Sequence, residues 1–353
     1  MPKPKKYAQA GVNIAAGDAA SHLAGKLAAT TFAGRKGKIG KPVKLPGGFA
    51  GALDFGDFYI VTCDDGTGTK MAVAEAMNKF DTLGYDLAAM VVDDAVCLGA
   101  EVISVSNTLD CPKVDKKIVG ELLKGLAKAC REQNIVIPGG EIAEVGQTVT
   151  GLVWNATAIG IVEKKKIIDG SKIKPGDVVI SLKENGLRSN GFSLARYILQ
   201  KKFGKNCFHR KLAPGKDPGS GKKWGELLLT PSKIYHSAIL DLVGRYKQKA
   251  KVKVKGIVHV TGGGIAGNLP RVFRNKKLGA YLPKLWRPAK WIQELIRLGN
   301  VSETESREVW NLGNGMLIIV NSKDVATTLK ILKKNKISAK VAGEINLSGK
   351  ITF

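Results

Sequence analysis

Hydrophobic and polar positions along the first half of the chain predict strands and helices in turn. Short apolar runs rich in β-branched residues predict strands at residues 58–63, 101–109, 135–141 and 156–168. Apolar residues at helical spacing predict helices directly after Lys70 and at residues 85–100 and 117–134. This alternation, with polar turns between the elements, predicts an α/β or α+β fold.

The second half begins after a turn-rich join at residues 169–182, and we place a domain boundary there. The predicted domains are residues 1–168 and 169–353. Basic, glycine-rich segments at residues 32–51 and 204–223 predict loops. Residues 251–260 alternate as a strand, and three glycines follow them. One face of that strand would carry Val252, Val254, Val258 and Val260, and the other Lys251, Lys253, Lys255 and His259.

Charge adds one question, because 56 Lys and Arg against 30 Asp and Glu give a net charge of +26. Such a balance is typical of nucleic-acid-binding proteins. The lysines are scattered, however, and aromatic residues make up only 6% of the chain. This favours a lysine-rich surface that attracts anionic substrates, without specific nucleic-acid binding. No apolar run approaches the roughly 20 residues of a membrane span, so we expect no membrane association and a cytoplasmic protein.

The segment Asp64-Asp65-Gly66-Thr67-Gly68-Thr69-Lys70 follows a predicted strand and precedes a helix. Glycines allow close approach of the backbone to a ligand, and successive N–H groups bind anions. A carboxylate there suits Mg²⁺, and a lysine suits phosphate. An ordinary tight turn would give the same pattern.

Two further groups of carboxylates favour a cation site. Asp93 shares a helical stripe with Met90 and Cys97, and Asp94 shares one with Leu87, Val91 and Leu98. A charge among apolar residues is costly unless it is paired or bound to metal. Gly139 and Gly140 end a strand directly before Glu141. A helix end that reaches solvent and a solvated turn are the alternatives.

Two polar turns in the second half could receive an anionic substrate. Arg188, Ser189 and Asn190 precede a helix from Gly191, and helix N-termini bind anions. His259 ends a strand beside Thr261, Gly262 and Gly263. N-capping of the helix and a structural histidine are the alternatives.

Taken together and in this order, these motifs resemble the phosphoribosylformylglycinamidine cyclo-ligase (AIR synthetase) family along nearly the whole chain. The motifs that carry the resemblance are "YAQAGVNIAAGDAA", "DGTGTK", "LGAE", "GGEIAE", "VEKKKIIDGSKIKPGDVVI", "SNGFSLAR", "HVTGGGIAGNLPRV", "GNVSETE" and "GNGM". The related superfamily includes selenophosphate synthetase, and its members use ATP. The segment at residues 32–51 lacks the cysteine that selenophosphate synthetase usually carries there.

The resemblance implies ATP-dependent closure of an imidazole ring in purine biosynthesis, with formylglycinamidine ribonucleotide as substrate. It implies a homodimer in which the mixed N-terminal sheets with their helices form a barrel-like core, and a C-terminal α/β domain beside it. ATP and Mg²⁺ are the implied cofactors. The expected nucleotide-binding residues are Asp65, Gly66, Thr67, Gly68, Thr69, Lys70, Asp94, Gly139, Gly140 and Glu141, with Asp65, Asp94 and Glu141 on the metal. The expected substrate-binding residues are Arg188, Ser189, Asn190, Thr261, Gly262 and Gly263, and the expected catalytic residues are His259, Lys70 and Asp65.

Several positions depart from the family pattern. Arg188 replaces a histidine, Asp93 replaces an asparagine, and Asn13 replaces an aspartate; Trp154-Asn155 stands where Tyr-Asp is usual. These changes leave two alternatives open. One is a related ATP-dependent kinase or ligase with another acceptor, and the other is a basic nucleic-acid-binding protein on an inactive scaffold.

Overall fold

Two six-stranded mixed sheets organise the chain in a computed structural model that describes residues 6–45, 49–214 and 219–353. Residues 1–5 of the first predicted domain and parts of the loops predicted at residues 32–51 and 204–223 lie outside the described residues. The helices are α1 (Lys6–Gln9), α2 (Ile14–Thr30), α3 (Met71–Met77), α4 (Leu83–Val96), α5 (Lys116–Gln133), α6 (Phe192–Phe203), α7 (Trp224–Leu228), α8 (His236–Val243), α9 (Gly264–Asn268), α10 (Lys290–Gly299), α11 (Glu303–Val309) and α12 (Val325–Lys334). Short 3₁₀ turns occupy Thr31–Arg35, Gly68–Lys70, Lys164–Lys166, Cys207–His209, Leu269–Val272 and Ser322–Asp324.

The first sheet contains β1 (Lys41–Pro42), β2 (Gly51–Asp54), β3 (Phe58–Gly66), β4 (Glu101–Cys111), β5 (Gly140–Glu144) and β6 (Val153–Glu163). Its order is β1-β2-β3-β6-β4-β5, and only the β4–β5 pair is parallel. The predicted strands at residues 58–63, 101–109 and 156–168 correspond to β3, β4 and β6. The strand predicted at residues 135–141 begins later, because Val136 forms only an isolated bridge before the glycine pair.

One face of the first sheet is buried and the other is open. Along the central strand β6, residues 154, 156, 158, 160 and 162 are buried, whereas their neighbours are exposed or half-buried. The buried side chains pack into one core with apolar residues of α4 and α5. On the open face, Val153 and Ile159 are 41% and 37% exposed. The alternation of apolar and polar residues in the sequence therefore reflects a sheet that helices cover on one face only.

The second sheet contains β7 (Val178–Lys183), β8 (Gly256–His259), β9 (Gly279–Tyr281), β10 (Asn314–Val320), β11 (Ala339–Asn346) and β12 (Ile351–Thr352). Its order is β12-β9-β11-β7-β10-β8, with a parallel β9–β12 pair. Every residue of β8 and β10 is buried. The α+β class with two mixed sheets is thus confirmed.

The long alternating strand predicted at residues 251–260 is wrong in its extent and in its faces. Strand β8 covers only Gly256–His259, because β10 pairs with it only over those four residues. Val252 and Val254 are buried outside any strand, and His259 is fully buried rather than on a lysine-bearing face. The side chain of Lys255 is held in a buried ion pair with Asp177.

The two halves share a core. Apolar side chains of α6, α7 and α10 pack into the same cluster as the first sheet, with Phe192, Trp224 and Trp291 among the largest. The boundary at residue 168 stays a prediction.

Polar side chains cap the starts of α2 and α5. The Asn13 side chain accepts a hydrogen bond from the Ala16 N–H at 3.0 Å, so the asparagine serves as an N-cap. Asp115 caps α5 in the same way. Among the described residues, no helix is long and apolar enough to cross a membrane.

Candidate active site

Three glycine-containing turns meet at the junction between the two halves of the chain. The first follows β3, the second precedes α6, and the third follows β8. The hydroxyl oxygens of Thr69 in the first turn and Ser193 at the start of α6 lie 3.3 Å apart. A Cβ on Gly68 would lie 3.5 Å from the Ser189 carbonyl oxygen, so the first two turns are in van der Waals contact.

The third turn closes the cleft against the second. A Cβ on Gly262 would lie 3.5 Å from the Asn190 Oδ1 atom. Gly264 has φ +60°, and a Cβ there would lie 1.7 Å from the Arg307 carbonyl oxygen. Only glycine fits this approach, which explains one glycine of the triplet. The structure therefore brings Gly68, Ser189, Asn190 and Gly262 together, as one site would require.

Asp65 stands at the end of β3 with one oxygen engaged. Its Oδ1 atom accepts the Gly66 N–H at 2.7 Å. Gly66 itself passes close to β6, because a Cβ there would lie 2.1 Å from the Asn155 Oδ1 atom. Burial raises the pKa of Asp65 to about 6, and the nearby Asp94 carboxylate adds to that rise. A carboxylate in this state gains from a bound cation.

Asp94 and His259 form a buried pair at the base of the cleft. The His259 Nδ1 and Asp94 Oδ1 atoms lie 2.7 Å apart. Burial raises the pKa of Asp94 to about 7 and lowers the pKa of His259 to about 3. The His259 Nε2 atom has no partner among residues 6–45, 49–214 and 219–353. The imidazole is neutral at pH 7, and its contact with Oδ1 positions the Asp94 carboxylate.

Lys70 was expected to contact phosphate, but its ammonium group is fully buried. Its Nζ atom donates to the Thr230 carbonyl at 2.8 Å and pairs with Asp86 Oδ1, also at 2.8 Å. Burial lowers the pKa of Lys70, and the Asp86 carboxylate opposes that shift. The prediction that Lys70 is catalytic stays untested. We revise the hypothesis for Lys70, because this geometry suits a residue that anchors the first turn.

Arg188 was expected to contact the substrate phosphate, and it too is fully buried. Its guanidinium group pairs with Asp93 at 2.7 Å and with Glu184 at 3.0 Å. The next two residues differ from it, because the Ser189 Oγ and Asn190 Nδ2 atoms lack partners in the described part of the chain. Ser189 and Asn190 thus keep the capacity to bind a ligand, whereas Arg188 is committed.

Glu141 lies apart from the two aspartates. Residues Gly66, Asn155, Thr108 and Glu141 stand in one row across four neighbouring strands. Three strand spacings of roughly 4.8 Å separate the ends of that row. Gly139, Gly140 and Glu141 are exposed at the edge of the sheet. Among the described residues, no group of three His, Cys, Asp or Glu side chains could hold a metal, so the three predicted ligands do not form one group within a subunit.

Comparisons with known proteins identify the family. The family described as "AIR synthase related protein, C-terminal domain" matches residues 174–353, and its N-terminal counterpart matches residues 47–162. The phosphoribosylformylglycinamidine cyclo-ligase of Thermococcus kodakarensis is 38% identical over 96% of this chain and 96% of its own length. The chain belongs to the phosphoribosylformylglycinamidine cyclo-ligase family.

Another member of this cyclo-ligase family, from Pyrococcus furiosus, is 39% identical over 93% of the chain and 91% of its own length. Among solved structures, the hydrogenase maturation protein HypE matches with a TM-score of 0.58 at 17% identity, over 86% of this chain and 87% of that one. T. maritima PurL complexed with AMPPCP matches with a TM-score of 0.53 at 16% identity. That match covers 88% of this chain but only 44% of PurL. These structures show the fold alone.

Sequence reasoning missed the buried partners of the two basic side chains. Asp86 pairs with Lys70, and Glu184 pairs with Arg188. Asp86 could have been found, because it lies one turn before Met90 on the helical stripe that carries Met90, Asp93 and Cys97. Glu184 carried no such signal, since it stands in a turn where a solvated carboxylate is ordinary.

Proposed function

We propose that the cleft between the three glycine-containing turns binds ATP and formylglycinamidine ribonucleotide and closes the imidazole ring. The observation that carries this proposal is the meeting of the three turns beside Asp65 and Asp94. A cyclo-ligase must hold a nucleotide and an acceptor side by side. Backbone amides of the glycine turns, with carboxylates at their edge, provide that combination.

Asp65 and Asp94 would hold a divalent cation at the nucleotide phosphates. Both offer carboxylate oxygens, burial raises the pKa of both, and the Asp94 carboxylate further raises the pKa of Asp65. Bound Mg²⁺ would offset charge on the phosphates during phosphoryl transfer. The residues therefore fit the ion by their chemistry, although Glu141 does not join them within one subunit.

The remaining residues divide into ligand-facing and positioning groups. Ser189 and Asn190 present unpartnered polar atoms beside Gly68 and Gly262. We assign them, with Thr261, Gly262 and Gly263, to the substrate. Gly66, Thr67, Gly68 and Thr69 are assigned to the nucleotide. Lys70 and His259 act through the groups they hold, namely the first turn and Asp94.

We also propose a homodimer that uses the open face of the first sheet. The alternate residues of β6, including Val153 and Ile159, leave that face partly apolar and uncovered. Two such faces from two subunits would cover one another, in keeping with the barrel-like core that the family resemblance implies.

The deciding experiment combines turnover with nucleotide binding. Purified protein with ATP, Mg²⁺ and formylglycinamidine ribonucleotide should give aminoimidazole ribonucleotide, ADP and phosphate, followed by mass spectrometry. Asp94→Asn should abolish most turnover and weaken Mg-ATP binding in calorimetry. Asp177→Asn is a control, because it instead breaks a buried ion pair with Lys255 just before β7 and β8 of the second sheet.

Three results would contradict the proposal. Phosphorylation or ligation of a different acceptor would favour a related ATP-dependent enzyme. Unchanged Mg-ATP affinity in both Asp65→Asn and Asp94→Asn would remove the cation assignment. Steeply salt-dependent nucleic-acid binding without any turnover would favour the inactive basic scaffold.

A further inference from the structure

Arg188 donates to four acceptors through one guanidinium group and so joins α4, its own turn and the segment at Lys233. Its NH1 atom donates to Glu184 Oε2 at 3.0 Å and to the Lys233 carbonyl at 2.9 Å. Its NH2 atom donates to Asp93 Oδ2 at 2.7 Å and to the Ala89 carbonyl at 3.1 Å. Two of these acceptors lie on α4 of the first half, and the other two lie in the second half.

The partners of Arg188 are themselves fully engaged. Asp93 Oδ1 accepts the Tyr235 N–H at 2.9 Å. Glu184 Oε1 accepts the Asn185 N–H at 2.8 Å, and Glu184 Oε2 accepts the Lys233 N–H at 3.3 Å. The side chains of Arg188, Asp93 and Glu184 are all at 0% exposure. A planar guanidinium with several donors suits such a site better than an ammonium would.

Arg188 directly precedes Ser189 and Asn190, the residues that we assign to the substrate. Arg188 has φ +58°, a left-handed conformation that is uncommon for a long side chain. The following residues are Ser189 and Asn190, whose unpartnered polar atoms lie beside Gly68 and Gly262. The guanidinium therefore holds the backbone of the turn at the point from which Ser189 and Asn190 enter the cleft.

Arg188 and Asp93 come from different halves of the chain, and both side chains are fully buried. The two residues lie 95 positions apart in sequence, and in the structure they are ion-paired. We propose that Arg188 and Asp93 act as one coupled charged pair, which positions Ser189 and Asn190 beside Gly68 and Gly262 without touching the substrate. The effect on turnover rests on the proposed function, whereas the coupling itself does not.

Hydrogen-bond chemistry explains why replacing only one of these two residues should disturb the network. Asp93 accepts from both Arg188 and Tyr235, so it needs two acceptor oxygens. An asparagine offers one acceptor and one donor, and its amide would face an N–H group on one side. A neutral histidine at position 188 offers an acceptor nitrogen that can receive that amide. Arginine with aspartate and histidine with asparagine are thus complementary, and the mixed pairs are not.

The test is a double-mutant cycle with Arg188→His, Asp93→Asn and the combination of both. We expect each single variant to lower kcat about 10- to 100-fold, because a displaced turn misplaces the groups that face the ligand. The combined variant should recover at least about tenfold over the worse single variant, as coupled neighbours do. Hydrogen exchange of the Ser189, Asn190 and Gly191 amides should rise in the single variants and fall again in the combination.

Two further variants separate positioning from a general loss of stability. Asp177→Asn should lower Tm but leave kcat unchanged, since its ion pair with Lys255 lies at the starts of β7 and β8, away from the three turns. Arg188→Lys keeps the positive charge and replaces Arg188→His if that variant does not fold. It should still lower kcat, because one ammonium group cannot donate to all four acceptors.

The proposal is overturned if the combined variant is as impaired as the product of the two single effects. It is also overturned if the single variants lower Tm with unchanged kcat, or if Arg188→Lys retains the kcat of the wild type. A protein that makes no aminoimidazole ribonucleotide at all would refute the proposed function, while amide exchange and Tm would still report whether the two residues are coupled.

Discussion

The two sheets have the same number of strands but differ in what covers them. In the first sheet, the central strand β6 buries every second residue and exposes those between them. In the second, β10 buries all seven of its residues. Strands β8 and β10 of the second sheet are closed on both faces, whereas β6 of the first sheet leaves apolar surface on one face that is not yet buried. The difference indicates that the second sheet serves stability, while the first is available for association.

The largest expected effect comes from the closed sheet. Ile318 in β10 is fully buried, so Ile318→Ala should lower the free energy of unfolding by about 2–5 kcal/mol through a cavity. The matched change on the open face is Ile159→Ala, which should cost the isolated subunit less than about 0.5 kcal/mol. Urea denaturation at nanomolar protein concentration measures both.

Equal losses in these two variants would break the comparison. They would mean that Ile159 is buried within the subunit under solution conditions, and that the first sheet is as closed as the second.

The second expected effect concerns the open face directly. Ile159→Lys should dissociate the proposed dimer, since a two-fold interface would bury the new charge twice. The cost should be about 2–4 kcal/mol of association free energy, measured by sedimentation equilibrium at micromolar concentration. Leu347→Lys is the control, because Leu347 is 63% exposed and follows β11 in the second half. A wild-type protein that is monomeric and fully active would contradict the proposal.

The smallest effect is a pH dependence at the junction between the two halves. His236 begins α8, and its Nε2 atom accepts the Val102 N–H of β4 at 2.9 Å. Burial lowers the pKa of His236 from 6.5 to about 3. The unfolded chain therefore binds the proton more readily, so stability is present above pH 6.5 and is lost as the pH falls toward 3. Between pH 6.5 and 5 the loss should be about 1–2 kcal/mol for this residue.

His236→Gln should remove that part of the pH dependence, because glutamine can accept the same hydrogen bond without gaining a proton. His259 has a similarly lowered pKa and should keep its own share. His22→Gln on the exposed helix α2 is the control. Denaturation curves at the two pH values would contradict the assignment if His236→Gln kept the full slope.

Sequence alone determined most of the elements and the family. The apolar periods predicted β3, β4, β6, α4, α5 and α6, since burial of one face repeats at a spacing that the chain records locally. The glycine turns and their carboxylates also stood out, because the backbone geometry of a tight turn restricts residue type at each position. Motifs in register along nearly the whole chain then indicated the cyclo-ligase family.

Only the tertiary structure decided which charges face the ligand. Lys70 and Arg188 read as phosphate-binding residues, yet both are neutralised by carboxylates that lie elsewhere in the chain, Asp86 for the one and Asp93 with Glu184 for the other. A buried charge needs a partner in the protein, whereas an exposed charge is free to bind a ligand. The sequence identifies the charged residue but does not show whether it is buried. Which of the two applies depends on the packing of α4 against the turns of the second half, and no local pattern encodes that contact.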